Sequence, residues 1–218
     1  MSTALHRSQT AAAPTRRAAV EAIIARIDLE HEPPAGGLPN EDLARAAMLR
    51  DPARRERFLA GRRLLRAALA TRHGLGAAAA PIRTGPTGKP FLPDGLPSIS
   101  LAHSGRWCAL ALSEDCEVGV DIEQIVERPG LDALAAVFMP APARDQIAAA
   151  QAEHRSEVVL HWWVRLEAAA KACGAPLDHA AALFDAVQFA DLQAAGFVAA
   201  VAGCGPRPLR VTWIELGR

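Results

Sequence analysis

Residues 118–123 read VGVDIE, and their alternation sets the frame for the rest of the chain. Successive side chains of a strand leave on opposite faces, so Val120 and Ile122 pack into a core while Asp121 and Glu123 share the other face. Two carboxylates side by side repel each other unless a proton or a cation lies between them. Either the pair lies on a solvated strand edge, or it holds a hard divalent ion such as Mg²⁺, which takes carboxylate oxygens together with phosphate and water.

Downstream, HWWVRLEAAAKACG (residues 161–174) belongs to an alanine-rich helix expected from about Glu157 to Ala172, stopped by Gly174 and Pro176. Trp163, Glu167 and Lys171 follow at four-residue spacing and form one stripe. The stripe is either an ordinary Glu–Lys helix pair, worth about 0.2–0.5 kcal/mol, or a functional one. In the second case Glu167 completes a cation site begun by Asp121 and Glu123, and Lys171 neutralises a phosphate one turn further on.

Upstream, GPTGKP (residues 85–90) is too short between its glycines for a P-loop and has Pro90 where that motif needs Ser or Thr. It leaves Lys89 on a stiff turn, suited to fixing one charge near an anion. His103, in LAHSG, sits at a strand-to-turn junction and reads as a hydrogen-bonded structural residue or a site residue. With Ser104 adjacent and no GxSxG elbow, the two are not a nucleophile pair.

The remaining elements follow from pattern and punctuation. Residues 1–17 form a loose tail. A strand runs over Val20–Leu29, a helix starts at Asn40-Glu41-Asp42, and Pro52 ends it. A second, arginine-rich helix spans Ala53–His73 with Gly74 as its cap and with Phe58, Leu65 and Leu69 on one face. Strands are expected at Ser98–Leu101, Cys108–Leu112 and Val118–Ile122, helices over 131–153, and strands near 183–189, 196–202 and 209–216. Strands and helices interleave without a regular βαβ period, so the class is α+β.

With 24 basic and 24 acidic residues in 218, the chain has no basic excess, which argues against general nucleic-acid binding. No run approaches a membrane span. Arg16-Arg17 is not an export signal, because Glu21 and Arg26 interrupt the apolar stretch that must follow. The four cysteines are scattered without zinc spacing and read as thiols in a reducing, cytoplasmic setting.

Taken in order, the GRRLLR helix (residues 61–66), GKP (88–90), SLAHSG (100–105), VGVDIE and WWVRLEAAAK (162–171) resemble the larger, two-lobed phosphopantetheinyl transferases, the type that activates surfactin synthetase. The resemblance covers about residues 20–178. It implies two similar α+β lobes related by a pseudo-twofold, here 18–112 and 113–218, with coenzyme A between them. It implies Mg²⁺ held by Asp121, Glu123 and Glu167, Lys171 on the diphosphate, and Lys89, His103 and Arg62 on coenzyme A phosphates. The implied reaction moves phosphopantetheine onto a serine of an acyl or peptidyl carrier protein in secondary-metabolite biosynthesis. Glu167 acts as base, Lys171 stabilises the leaving adenosine 3′,5′-bisphosphate, and the enzyme is a cytoplasmic monomer.

Three positions depart from the family pattern: Leu166 where a lysine is usual, Val164 where Thr or Ser is usual, and Ala102 where Ser is usual. Leu166→Lys is accordingly expected to tighten coenzyme A binding. Two other readings stand beside the transferase: a catalytically weakened relative that binds carrier protein or coenzyme A, and an unrelated Mg²⁺-dependent phosphodiesterase.

Overall fold

The structure, a computed structural model, describes residues 17–27, 37–126 and 130–216. The expected tail over 1–17 lies outside these residues except for Arg17, as do Asp28 and Leu29 at the end of the first expected strand. Two units of the same plan follow one another, each a strand, then helices, then a hairpin. The first comprises β1 (Ala18–Arg26), α1 (Asn40–Ala47), α2 (Pro52–Ala78), β4 (Ser98–Ser104) and β5 (Trp107–Ser113). The short strands β2 (Arg83–Thr84) and β3 (Pro90–Phe91) bracket the 85–90 turn. The second unit comprises β6 (Val118–Gln124), α3 (Leu131–Phe138), α4 (Ala141–Ala149), α5 (Ala152–Cys173), a 3₁₀ segment (Leu177–Ala186), β7 (Val187–Ala194) and β8 (Phe197–Cys204). This is a two-lobed α+β fold.

The last strand, β9 (Leu209–Leu216), returns to the first sheet and pairs in parallel with β1, giving the order β4-β5-β1-β9. The second sheet has the order β6-β8-β7. Strand alternation divides the core into layers. Ile23, Leu110 and Leu112 face α2 through Leu65 and Leu69. Val20, Ala22, Ile24, Ala109 and Ala111 face the other way, toward Val118, Val120, Ile122, Val201 and Phe197 of the second sheet. The reverse face of that sheet, with Val198, Ala200 and Ala202, packs on α5. The molecule is therefore stacked helix, sheet, sheet, helix, with each sheet apolar on both faces.

Local chemistry explains most boundaries. Asp51 caps α2, its carboxylate accepting from Ala53 N–H at 3.0 Å, and Pro52 takes the first helical position, where no N–H is needed. Gly74 breaks the helix as expected, at φ 83° and ψ 172°, but helical turns resume to Ala78. The strand expected near 183–189 begins only at Val187. Before it the chain is held on α5 by Phe184, whose ring stacks on Trp162 at 5.9 Å and meets Phe189 at 5.0 Å.

Serine side chains join the two sheets along their adjoining edges. Val118, Val120 and Gln124 donate their N–H groups to the hydroxyls of Ser98, Ser100 and Ser104, at 3.1, 3.0 and 3.1 Å. Position 102 in this register is alanine, so no hydroxyl stands opposite Ile122. The free edge of β6 is thus satisfied by side chains of β4 rather than by a backbone ladder.

Candidate active site

The junction of β4 and β6 is flanked by α2 on one side and α5 on the other, and a cleft of roughly 440 Å³ opens between them. The α2 wall supplies Arg54, Arg57, Phe58 and Arg62, with Arg45 from α1. His103 of β4 joins them. The opposite wall supplies Asp121 and Glu123 from β6, and Glu167 and Lys171 from α5. One wall is cationic and the other is carboxylate-rich with a single lysine.

Gly119 accounts for how closely α5 approaches β6. A Cβ built there would stand 2.0 Å from Ala168 O and 2.4 Å from Ala172 N, inside the helix backbone. Only a residue without a side chain allows this contact. As a result Lys171 Nζ reaches Asp121 Oδ1 at 2.6 Å and Glu167 Oε2 at 3.3 Å. Glycine within a strand pattern signals close backbone approach, and that signal was present in VGVDIE.

The expected solvent-facing alternative for Asp121 is excluded, since the residue is only 5% exposed. Burial pushes its carboxyl up to about 7; Lys171 opposes that shift, while Glu167 and Glu123 reinforce it. Burial disfavours the Lys171 charge, but Asp121 and Glu167 outweigh it and hold the ammonium above its ordinary range. Glu123 accepts from Ser104 Oγ at 2.5 Å.

Asp121 Oδ2 is buried with no hydrogen-bond partner. A buried carboxylate oxygen left unsatisfied is costly, and a divalent cation beside it would satisfy it, so the donor chemistry of Asp121, Glu123 and Glu167 fits Mg²⁺. Among the described residues no three acidic, histidine or cysteine side chains already converge on one point. The Lys171 ammonium lies between Asp121 and Glu167 instead.

On the basic wall, Arg62 is 6% exposed, its Nε 3.2 Å from Asp42 Oδ1 and its ring-facing side 4.9 Å from the Phe58 centroid. Its Nη1 is buried without a partner. Desolvation lowers the Arg62 pKa and Asp42 counteracts it. Burial lowers the His103 pKa too, and Arg57, Lys171 and Arg54 add to the effect, which favours its neutral form. Arg57 and Arg45 were not singled out from the sequence, because nothing in the helical pattern distinguishes them from the other arginines there.

Lys89 stands apart from the main cleft. Its ammonium donates to Glu117 at 2.5 Å and to Ala172 O at 2.9 Å, in an adjoining hollow that shares Glu167 and Lys171. The expectation that position 166 faces phosphate is overturned. Leu166 is fully buried in the cluster with Val164, Val198 and Ala200, because it lies about 100° around the helix from Glu167 and turns into the sheet. A lysine there would enter the core. Val164 is equally buried, and Arg165 pairs with Asp191 rather than reaching the cleft.

Comparison with known proteins finds two family models that match the chain. The 4'-phosphopantetheinyl transferase N-terminal domain matches residues 40–113, and the 4'-phosphopantetheinyl transferase superfamily matches residues 117–206. A 4'-phosphopantetheinyl transferase AcpT of Salmonella typhi is 34% identical over 141 residues, 64% of this chain and 68% of that protein. A putative 4'-phosphopantetheinyl transferase of Synechocystis sp. is 31% identical over 63% of this chain and 57% of its own length. For the 4'-phosphopantetheinyl transferase HetI of Nostoc sp. the figures are 28%, 64% and 61%. The chain thus spans about three fifths of the length of these last two relatives. It belongs to the 4'-phosphopantetheinyl transferase superfamily.

Proposed function

We propose that the protein is an active phosphopantetheinyl transferase of the larger, two-lobed type. It moves 4'-phosphopantetheine from coenzyme A to a serine hydroxyl of an acyl or peptidyl carrier protein and releases adenosine 3',5'-bisphosphate. It works as a cytoplasmic monomer, without a membrane or nucleic-acid partner; no helix among the described residues is long and apolar enough to cross a membrane.

The observation that carries this reading is the buried Asp121 carboxylate, with Oδ1 on Lys171 and Oδ2 unpartnered, in a cleft it shares with Glu123, Glu167 and a basic wall. Asp121, Glu123 and Glu167 would hold Mg²⁺, which when bound neutralises negative charge on the diphosphate. Arg62, with His103 as an uncharged hydrogen-bonding partner, receives the nucleotide phosphates on the α2 side. Lys89 adds a cation once it leaves Glu117. Glu167 takes the proton of the carrier serine as that oxygen attacks the β-phosphorus. Lys171 hydrogen-bonds the departing phosphate oxygen and offsets its charge. Positioning and fixed charges supply most of the acceleration.

The weakened-relative reading rested on Leu166 and Ala102. Leu166 takes no part in the cleft, which removes one of those two supports; Ala102 lines the cleft beside His103 as well as the seam between the sheets. The test is intact-mass analysis of several apo carrier proteins incubated with this protein, coenzyme A and Mg²⁺. The expected result is a gain of one phosphopantetheine, abolished by EDTA. No gain on any carrier, with coenzyme A still bound, would return the assignment to the weakened relative.

A further inference from the structure

The four cysteines are far apart in sequence, and the fold brings two of them together. Cys173 ends α5 and Cys204 ends β8, and their sulfurs are 3.0 Å apart. Both are partly exposed, whereas Cys108 is buried. Cys116 lies beside the Ser113 hydroxyl at 3.7 Å and takes no part in the pair. The two backbones meet for reasons unrelated to sulfur. Gly174, at φ 61°, turns the chain out of α5, and Ala175 N–H closes the helix on Ala170 O at 2.9 Å. Cys204 N–H donates to Glu117 O at 2.9 Å, which fixes the end of β8 against β6. Two anchored thiols in contact need to close by only about 1 Å to reach disulfide bond length.

We infer that Cys173 and Cys204 form a redox-modifiable dithiol, which a small-molecule disulfide converts to an intrachain disulfide clamping the end of α5 to the end of β8. Cys173, as thiolate, attacks one sulfur of the oxidant and expels the other as a thiolate, forming a mixed disulfide. Cys204 then gives its proton to solvent and attacks the Cys173 sulfur, expelling the second small thiolate. Two protein S–H groups become one S–S bond, and the oxidant takes up the electron pair and leaves as two thiols. Burial, with Cys173 adding to it, pushes the Cys204 thiol up to about 12, so the proton it gives to solvent in the second step is lost more readily at alkaline pH.

The consequence reaches the cleft wall. The clamp falls two residues after Lys171, next to Ala172, whose carbonyl accepts the Lys89 ammonium. It also closes the loop that contains the 3₁₀ segment, β7 and β8, which restricts the unfolded chain and raises stability.

The experiment compares the reduced full-length chain with the same chain incubated with oxidised glutathione at mildly alkaline pH, then alkylates under denaturing conditions without reductant. The expected product is about 2 Da lighter than the reduced chain, retains two alkylatable thiols, and yields a linked peptide pair containing Cys173 and Cys204. Its Tm rises by about 5 °C or more and returns to the starting value with dithiothreitol. Cys204→Ser stops at one glutathione on Cys173 and shows no Tm rise, while Cys116→Ser behaves as the parent. Four alkylatable thiols after oxidation, a persistent glutathione adduct on the parent chain, or a link through Cys108 or Cys116 would overturn the assignment. These readouts are independent of transferase activity.

Discussion

The two lobes share a plan of strand, helices and hairpin, yet they bring opposite chemistry to the same cleft. In the first lobe α2 rests on its sheet at ordinary distance: a Cβ on Gly61 would meet Cys108 Sγ and Leu101 Cδ2 at 3.7 Å each. In the second, α5 lies so close to β6 that Gly119 has no room for a Cβ. The looser contact leaves long arginines projecting from α2 into the cleft. The tighter one pulls Glu167 and Lys171 against a buried aspartate. One architecture, packed at two distances, yields an anion-receiving wall and a cation-receiving wall.

The sharpest way to test that division is to remove one group from each wall. Glu167→Gln should leave the fold intact and reduce carrier modification by about 10²–10⁴-fold, read as the initial rate of mass gain. Arg57→Gln on the other wall should act on binding instead, raising the Kd for coenzyme A by about tenfold in calorimetry, the loss of one charge-assisted contact. Equal losses in rate from both would collapse the distinction.

Packing distance predicts a second asymmetry. Gly119→Ala should destabilise by about 1–3 kcal/mol, since the methyl group collides with helix backbone that cannot yield cheaply. Gly61→Ala should be neutral or stabilise by about 0.5–1 kcal/mol, because the site is roomy and helical. Urea midpoints of the two variants decide the matter.

Acid–base behaviour also divides by lobe. His103, on β4, has a folded pKa below its ordinary value near 6.5 because of burial. Below that pH the unfolded chain binds more protons than the folded one, so this group's stability contribution is lost as pH falls. Asp121, on β6, has a folded pKa raised from 3.8 to about 7. Between those values the folded chain binds more protons, so stability falls as pH rises. The two slopes oppose each other. In metal-free solution Asp121→Asn should leave a profile rising toward neutral pH, more steeply than the parent, and His103→Gln should tilt it the other way; Tm measured from pH 5 to 7.5 reads both.

The smallest expected effect lies at the seam. Ala102→Ser would place a hydroxyl opposite Ile122 N–H and extend the serine series, adding about 0.5–1.5 kcal/mol. An unchanged Tm would mean that the N–H already has a partner of equal worth.

Much of this was legible in the sequence. Alternation in VGVDIE correctly separated the face of Asp121 and Glu123 from that of Val120 and Ile122, and the Trp163-Glu167-Lys171 stripe correctly put Glu167 and Lys171 on one side of α5. Pro52 and Gly174 marked helix limits, whereas Gly74 marks a break inside α2 rather than its end. What failed was tertiary in origin. The 3₁₀ segment before β7 is held by aromatic contacts with a helix earlier in the chain, which no local pattern encodes. Leu166 was read from a family pattern at a position one residue from a site residue, where a 100° turn separates cleft from core. The Cys173–Cys204 contact joins the ends of two elements, and spacing along the chain carries no trace of it.

Because β9 lies parallel to β1, the first sheet is finished by a strand made after the whole second lobe. During synthesis β1 must wait, with the backbone N–H and C=O groups of one edge unpaired, until both hairpins and the whole second lobe have emerged. Parallel pairing over such a separation is slow to form, and an open edge invites association with other chains. A ribosome stalled just short of residue 209 would therefore present a nascent chain whose cleft residues have all been made but whose first sheet is incomplete.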